Sequence, residues 1–226
     1  MLIEGKRENV MKIFTKNGVS LAVGTTLILS ASLASASHPS TIEVSLTNIS
    51  NVVFTPPIVA LCKKKMPAIA KIGQPASDLL EPLAEGGDTS GLAGLFADNN
   101  CSYAMHSGAV APGESITLEV SGRKRDYLHF ASMLLPTNDG FIYSSGYRVK
   151  QIKSKGKLWL KSYDAGTEAN DELCVNIPGP QCGGEGFNAK RETNNFVKPH
   201  SGIQGFNDVS AQTYNWGNPV AYIKIK

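Results

Sequence analysis

The sequence predicts an all-β protein, an antiparallel β-sandwich with short helical insertions. Short segments with strand character recur from residue 41 to the C-terminus, and glycine and proline separate them. Only residues 77–97 carry leucines at a helical spacing. Many short strands divided by turns, with few helices, indicate a sandwich or a barrel.

The first strand is the clearest, because residues 41–47 alternate apolar with polar side chains and so place Ile42, Val44 and Leu46 on one buried face. Pro57 cannot donate to a ladder, so residues 58–61 are expected to form an edge segment. The other predicted strands cover residues 101–106, 115–120, 127–135, 141–149, 158–163 and 220–226.

Residues 77–97 predict two short helices between strands, with Ser77 capping one of them and Asp88 or Thr89 the other. Their apolar face is expected to plug an open end of the sandwich. Residues 176–214 lack strand and helix patterns, and so long an irregular segment is uncommon in a compact domain unless it is functional, disordered or tied down.

The N-terminus has the pattern of a cleaved export signal. Lys12 and Lys16 precede an apolar run over residues 19–33, and Ala34-Ser35-Ala36 matches a small-residue cleavage site. We therefore predict a signal peptide over residues 1–36 and one domain over residues 37–226. Retention of the apolar run as a membrane anchor is the alternative.

Charge argues against nucleic acid as a partner. The formal net charge of the whole chain is +3, and removing the four basic and two acidic residues of the signal leaves 18 basic against 17 acidic residues. No later stretch is long and apolar enough to cross a bilayer, so we do not expect an integral membrane protein after signal cleavage.

All four cysteines follow the predicted signal, and an even number in an exported chain indicates two disulfide bonds. Three pairings are possible. We favour Cys174 with Cys182, which closes a short loop, and Cys62 with Cys101 as the remainder. A zinc site is a weaker alternative, because neither pair has the spacing of structural zinc ligands.

Residues 163–172 place four carboxylates in ten residues whose composition favours a tight turn. Carboxylate oxygens that converge from loops are ligands that calcium prefers, provided that a second segment contributes. The candidate second segment is residues 137–140, Thr-Asn-Asp-Gly. The alternative interpretation is a solvated acidic turn.

Several stretches resemble the spondin N-terminal family. Residues 54–59, FTPPIV, are similar to its "FSPPVV" pattern, and the acidic turn at 163–172 is similar to its "DAGTD" turn. The order and spacing of the matching stretches are closest to bacterial, single-domain members. The further matching stretches are residues 73–77, 84–90, 131–141 and 216–221.

This resemblance implies a C-two-like antiparallel β-sandwich of about eight strands with a calcium site at one end. The family's three calcium-binding aspartates match Asp139, Asp164 and Glu168 here. Glu168 replaces an aspartate, and Gly140 replaces a tryptophan that follows the first ligand in the family pattern. Asn138 and Asp171 are reserve ligands or supporting groups.

From these observations we expect an exported, non-enzymatic calcium-binding module, secreted or periplasmic, that mediates adhesion or binds a surface, glycan, lipid or protein ligand. One alternative is an exported hydrolase that uses the acidic loop and His200. Another is a structural protein stapled by calcium. Exposure of the loop residues Phe141, Phe187 and Phe206 near the metal would favour ligand docking over a staple.

Overall fold

The computed structural model describes residues 38–188, 193 and 195–226. The predicted signal peptide at residues 1–36 lies outside the described residues. The described strands are β1 (Ser40–Asn48), β2 (Val53–Phe54), β3 (Ile58–Cys62), β4 (Ser102–Met105), β5 (Ser115–Gly122), β6 (Tyr127–Leu135), β7 (Gly140–Arg148), β8 (Leu158–Leu160), β9 (Ser162–Asp164), β10 (Lys198–Pro199) and β11 (Ala221–Ile225). The α-helices are α1 (Leu80–Gly86), α2 (Ser90–Asp98), α3 (Val149–Lys155) and α4 (Ala211–Tyr214).

The strands form two antiparallel sheets. One has four strands in the order β5-β1-β11-β8, and the other has seven, in the order β10-β9-β7-β6-β3-β4 with β2 paired to β6. The predicted all-β sandwich is therefore confirmed. The strand count exceeds the expected eight or so because β2 and β10 are very short and residues 158–164 form two strands instead of one.

The core between the sheets follows from alternation along the strands. Strand β1 buries Ile42, Val44 and Leu46, and β5 buries every second residue in the same way. The register sets Val44 opposite Leu118, so the apolar faces of both strands point to the same side. The other sheet covers them with Phe130 and Ile142.

Strand β3 is not the edge segment that we predicted. It pairs with β4 on one side and with β6 on the other, and all five of its residues are buried. Pro57 does not prevent this, because it precedes the first residue of the strand and uses its carbonyl to accept the His106 N–H. A proline just before a strand leaves the ladder of that strand intact.

Helices α1 and α2 confirm the two predicted helices but pack elsewhere than at an open end. Their apolar side chains Leu83 and Phe96 cover the outer face of the seven-stranded sheet, against residues such as Ile58 and Phe141. The protein therefore has a second apolar layer, outside the sandwich core, that buries the central strands β3 and β6 on both faces.

Residues 158–164 divide between the two sheets at Lys161. Before it, β8 pairs with β11 at the edge of the four-stranded sheet. After it, β9 pairs with β7 in the seven-stranded sheet. The single strand predicted for residues 158–163 is therefore two strands. Strand β8 belongs to the four-stranded sheet, whereas β7 and β9 belong to the seven-stranded sheet.

Both predicted disulfide bonds are present, joining Cys62 to Cys101 and Cys174 to Cys182. The second closes one end of the long irregular segment. The other end is held by Trp216, whose indole N–H donates to Ser162 Oγ at 2.9 Å. None of the described helices is long and apolar enough to cross a membrane.

His129, on β6, is a buried histidine with no hydrogen-bond partner for either ring nitrogen among the described residues. Its ring packs on the Phe96 ring, with 5.8 Å between centroids. Burial lowers the pKa of His129 from 6.5 to about 4. The folded protein therefore holds this side chain neutral at pH values where the unfolded chain protonates it.

We expect His129 to lower the free energy of unfolding by roughly 3 kcal/mol as the pH falls from 6.5 to 4, because only the unfolded chain takes up the proton in that range. Urea unfolding of the wild type and His129→Leu at pH 7, 5.5 and 4 measures this effect. The free energy of unfolding of the wild type should fall relative to that of the variant as the pH decreases. His38→Leu, at an exposed position, is the control. A difference that stays constant with pH would contradict the prediction.

Candidate metal site

The predicted ligands lie where two loops meet at the ends of β7 and β9. Asp139 directly precedes β7, and Asp164 is the last residue of β9. The register of the two strands pairs Gly140 with Asp164, which brings the two carboxylates together. Glu168 follows four residues later in the turn. All three side chains are buried, with exposed fractions of 0%, 1% and 9% in sequence order.

Asp139 is tied to the acidic turn by both its backbone and its side chain. Its carbonyl accepts the Ala165 N–H at 3.1 Å. Its Oδ2 accepts the N–H groups of Thr167 at 2.8 Å and of Glu168 at 3.2 Å. The other carboxylate oxygen, Oδ1, is buried and has no hydrogen-bond partner among the described residues.

Burial and the neighbouring Asp164 charge raise the pKa of Asp139 to about 7, against the opposing effect of the N–H groups of Glu168 and Thr167. An unpaired buried carboxylate is costly, and a protein relieves the cost by binding a proton or a cation. Within the described residues, hydrogen bonds thus reach one carboxylate oxygen of Asp139, and the other oxygen is available to a proton or a cation.

Asp164 has more partners. Its Oδ1 accepts the Gly166 N–H at 2.8 Å, which closes a tight turn. Its Oδ2 accepts a hydrogen bond from the Asn170 amide and forms a 3.2 Å ion pair with Lys198 Nζ. Lys198 is the one cation with an ion pair to this site among the described residues, and it was not predicted, because it lies far along the chain on β10.

Gly166 is required for this turn. Its φ is +71°, a left-handed conformation that side chains other than glycine rarely adopt. A Cβ there would also come within 2.8 Å of the backbone of Phe196. The turn that carries Asp164 and Glu168 therefore packs backbone against backbone on the long irregular segment.

Gly140, the departure from the family's tryptophan, is explained by packing. A Cβ at this residue would lie 2.5 Å from Thr137 Oγ1. That hydroxyl accepts the Gly140 N–H at 2.9 Å and donates to the Leu134 carbonyl at 2.6 Å. Side chains larger than hydrogen have no space here unless the loop of residues 137–140 changes.

Asn138 and Asp171 support the turn through their side chains. The Asn138 amide donates to Asp171 Oδ1 at 2.9 Å, and its oxygen accepts the Glu172 N–H at 3.3 Å. Asp171 also accepts the Leu173 N–H at 3.0 Å and the Asn176 amide at 2.7 Å. Both residues thus hold the two loops together.

Glu172 has a structural role that the sequence did not reveal. Its buried carboxylate accepts the backbone N–H groups of Gln204 at 2.6 Å and Phe206 at 2.7 Å. The residue itself adopts a positive φ of 57°. Glu172 therefore anchors the long irregular segment to the acidic turn, a contact between residues more than 30 positions apart that local sequence cannot predict.

His200, the candidate catalytic residue of the hydrolase alternative, is buried with an exposed fraction of 7%. Its Nδ1 accepts the Gly202 N–H at 3.0 Å, and its ring packs 5.0 Å from the Trp216 ring, measured between centroids. Burial lowers the pKa of His200 to about 4. These contacts describe a histidine that is packed into the domain and whose Nδ1 is occupied by a backbone N–H.

The arrangement fits a hard cation in its chemistry. Asp139 Oδ1 needs a positive partner, Asp164 is adjacent, and calcium takes carboxylate and carbonyl oxygens from flexible loops. Within the described residues, no group of three His, Cys, Asp or Glu side chains is already gathered as a metal cluster. No family model matches the chain, and no curated protein matches it.

We expect Glu172→Gln to destabilise the protein by about 2 kcal/mol, because a neutral side chain with a single acceptor oxygen replaces a carboxylate that satisfies two backbone N–H groups. Hydrogen exchange at the Gln204 and Phe206 amides should become faster, and the urea midpoint should fall. Glu185→Gln, at an exposed position, is the control. Unchanged exchange at both amides would contradict this anchoring role.

Proposed function

We propose that this protein is an exported, non-enzymatic calcium-binding module that mediates adhesion or binding to a surface ligand. The observation that carries the proposal is Asp139 Oδ1, a buried carboxylate oxygen that has no partner among the described residues and lies beside a second buried aspartate. The protein supplies two N–H donors to the other oxygen of Asp139, and calcium would neutralise what remains.

Asp139, Asp164 and Glu168 would hold the ion, with Asn138 and Asp171 fixing the loops that carry them. Calcium commonly takes six to eight oxygen ligands, so backbone carbonyls and water would complete its shell. The charge that it supplies would relieve the repulsion between Asp139 and Asp164, a task for which Lys198 now provides the nearest ion pair.

The resemblance to the spondin N-terminal family supports this assignment. The two loops that carry its calcium-site patterns meet in the structure, and the fold is the antiparallel sandwich that the resemblance implies. Both disulfide bonds fit an oxidising compartment, which supports a secreted or periplasmic location.

Exposed aromatic side chains support ligand docking over a purely structural role for calcium. Phe206 is 70% exposed, and its N–H group bonds to Glu172 of the acidic turn. Phe196, 51% exposed, borders Gly166 in the same turn. The three loop aromatics proposed as indicators divide: Phe206 is exposed beside the acidic turn, Phe141 is buried in the core, and Phe187 is exposed but lies against Gly86 of α1. Apolar side chains exposed beside a site are a feature of interaction surfaces.

Calcium at 100 times its dissociation constant should raise the free energy of unfolding by about 2.7 kcal/mol, because it binds the folded state alone. For a domain of this size, that corresponds to a rise in Tm of roughly 5 to 10 °C. Thermal melting in calcium and in excess chelator tests this, with Asp164→Ala expected to lose the rise and Glu119→Gln to retain it. Equal Tm values for the wild type in the two buffers would overturn the site.

Asp139→Asn should separate the cost of the buried charge from the benefit of calcium. In chelator at pH 7.5, we expect this variant to unfold at the same urea concentration as the wild type or a higher one, because the amide oxygen keeps both N–H bonds and the charge is gone. In calcium, we expect the wild type alone to gain stability. A variant that calcium stabilises as much as it does the wild type would contradict a role for the Asp139 charge in binding calcium.

A further inference from the structure

A cleft opens where β7 and β8 separate. Strand β9 pairs with β7 only as far as Ile142, so the same edge of β7 beyond that residue is unpaired in the described sheets. Strand β8 is the outermost strand of its own sheet, and its second edge is also unpaired. Open edges of both sheets thus border one cleft and present backbone donors and acceptors to it.

The cleft consists of two adjoining cavities of about 310 and 180 Å³. They share the lining residues Tyr147, Leu158 and Trp159, and so adjoin one another. We call it the β7–β8 cleft. Its total size suits a segment of a chain ligand such as a few sugar rings, in the range of small-molecule binding sites.

Two aromatic rings line the cleft and are available to a ligand. Trp159 is 52% exposed and Tyr147 is 45% exposed. The Trp159 ring is held edge to face against Tyr222, with 5.4 Å between centroids and an angle of 75°. A ring fixed in this way offers a flat apolar surface with little loss of entropy on binding.

The charge around the cleft has one sign. Lys155, Lys157 and Lys161 line it, and the lining contains no Asp or Glu. Lys157 Nζ lies 4.0 Å from the Tyr222 ring centroid and 5.0 Å from that of Trp159, so its ammonium group is positioned by the aromatic rings. A ligand that complements this lining carries negative charge.

Polar groups complete the lining. Ser144 Oγ is buried and has no hydrogen-bond partner among the described residues, although buried hydroxyl groups are normally bonded. Ser144 and Ser145 both line the larger cavity, together with Tyr143 and Tyr163. A ligand with many hydroxyl groups can satisfy such a surface, and Ser144 is a group that needs a partner.

From these features we propose that the β7–β8 cleft binds an acidic polysaccharide, whose sugar rings stack on Trp159 and Tyr147 while the lysines contact its anionic groups. An extended acidic peptide is the competing occupant, because it could add to the free edge of β7, but it would not supply the flat rings that stack on Trp159 and Tyr147. A lipid surface fits less well because the site is concave.

The cleft is separate from the proposed calcium site. Asp139, Asp164 and Glu168 are absent from its lining. Binding should therefore persist in chelator and in Asp164→Ala. Failure of the calcium prediction and failure of this proposal are then distinguishable.

Calorimetric titration of the signal-free protein in chelator tests the proposal. Dextran sulfate and neutral dextran share a backbone and differ in charge, and hyaluronan supplies carboxylates instead of sulfates. We expect binding to at least one acidic chain, none to dextran, and weakening as salt is raised. Trp159→Ala and the double variant Lys157→Gln/Lys161→Gln should each weaken binding roughly tenfold or more.

The matched control is Lys71→Gln/Lys124→Gln, which removes the same charge at exposed positions outside the cleft and should bind as the wild type does. Thermal melting of each variant establishes that it is folded, and the double lysine variant tests the cleft even if Trp159→Ala does not fold. Equal binding by both lysine pairs would overturn the proposal. The proposal would also be overturned if neither dextran sulfate nor hyaluronan bound. Tighter binding to polyglutamate or to anionic vesicles than to these polysaccharides would overturn it as well.

Discussion

The loops at one end of this sandwich depend on a buried carboxylate, Asp139, that the described part of the chain hydrogen-bonds at only one oxygen. Its carbonyl accepts the Ala165 N–H, and its Oδ2 accepts the N–H groups of Thr167 and Glu168 in the neighbouring turn. Those bonds determine where Asp164 and Glu168 lie. The arrangement leaves a buried carboxylate close enough to Asp164 for that charge to raise its pKa, and this is the physical reason for proposing a cation there.

The other acidic groups of the turn have different roles, and hydrogen bonding separates them. Asp171 and Glu172 accept backbone and amide N–H groups from several segments, so their charges are matched by donors within the protein. Asp139 has one oxygen to which no described residue donates a hydrogen bond. A count of carboxylates therefore overestimates the free oxygens in this turn, because donors within the protein also bond both oxygens of Asp164.

The division of residues 158–164 between the two sheets connects the two sites. Strand β9 carries Asp164 to the acidic turn, while β8 leaves β7 and exposes the edges of the cleft. One change of sheet at Lys161 thus provides a rigid support for the candidate metal site and an open surface for a ligand. Loops and edges supported by a rigid sandwich are where binding surfaces are expected.

The amino-acid sequence by itself determined the all-β class, most strands and the two short helices, because alternation, leucine spacing and turn residues act locally. The cysteine count and spacing also led to the disulfide pairing that the structure contains. Asp139, Asp164 and Glu168 came from a resemblance of motifs, and the structure brings the loops that carry them together. Only the tertiary structure decided that β3 is internal, that residues 158–164 change sheet, and that Lys198 and Glu172 reach the acidic turn. Each of these depends on partners far apart in the chain, and local pattern carries no information about which distant segment will supply them.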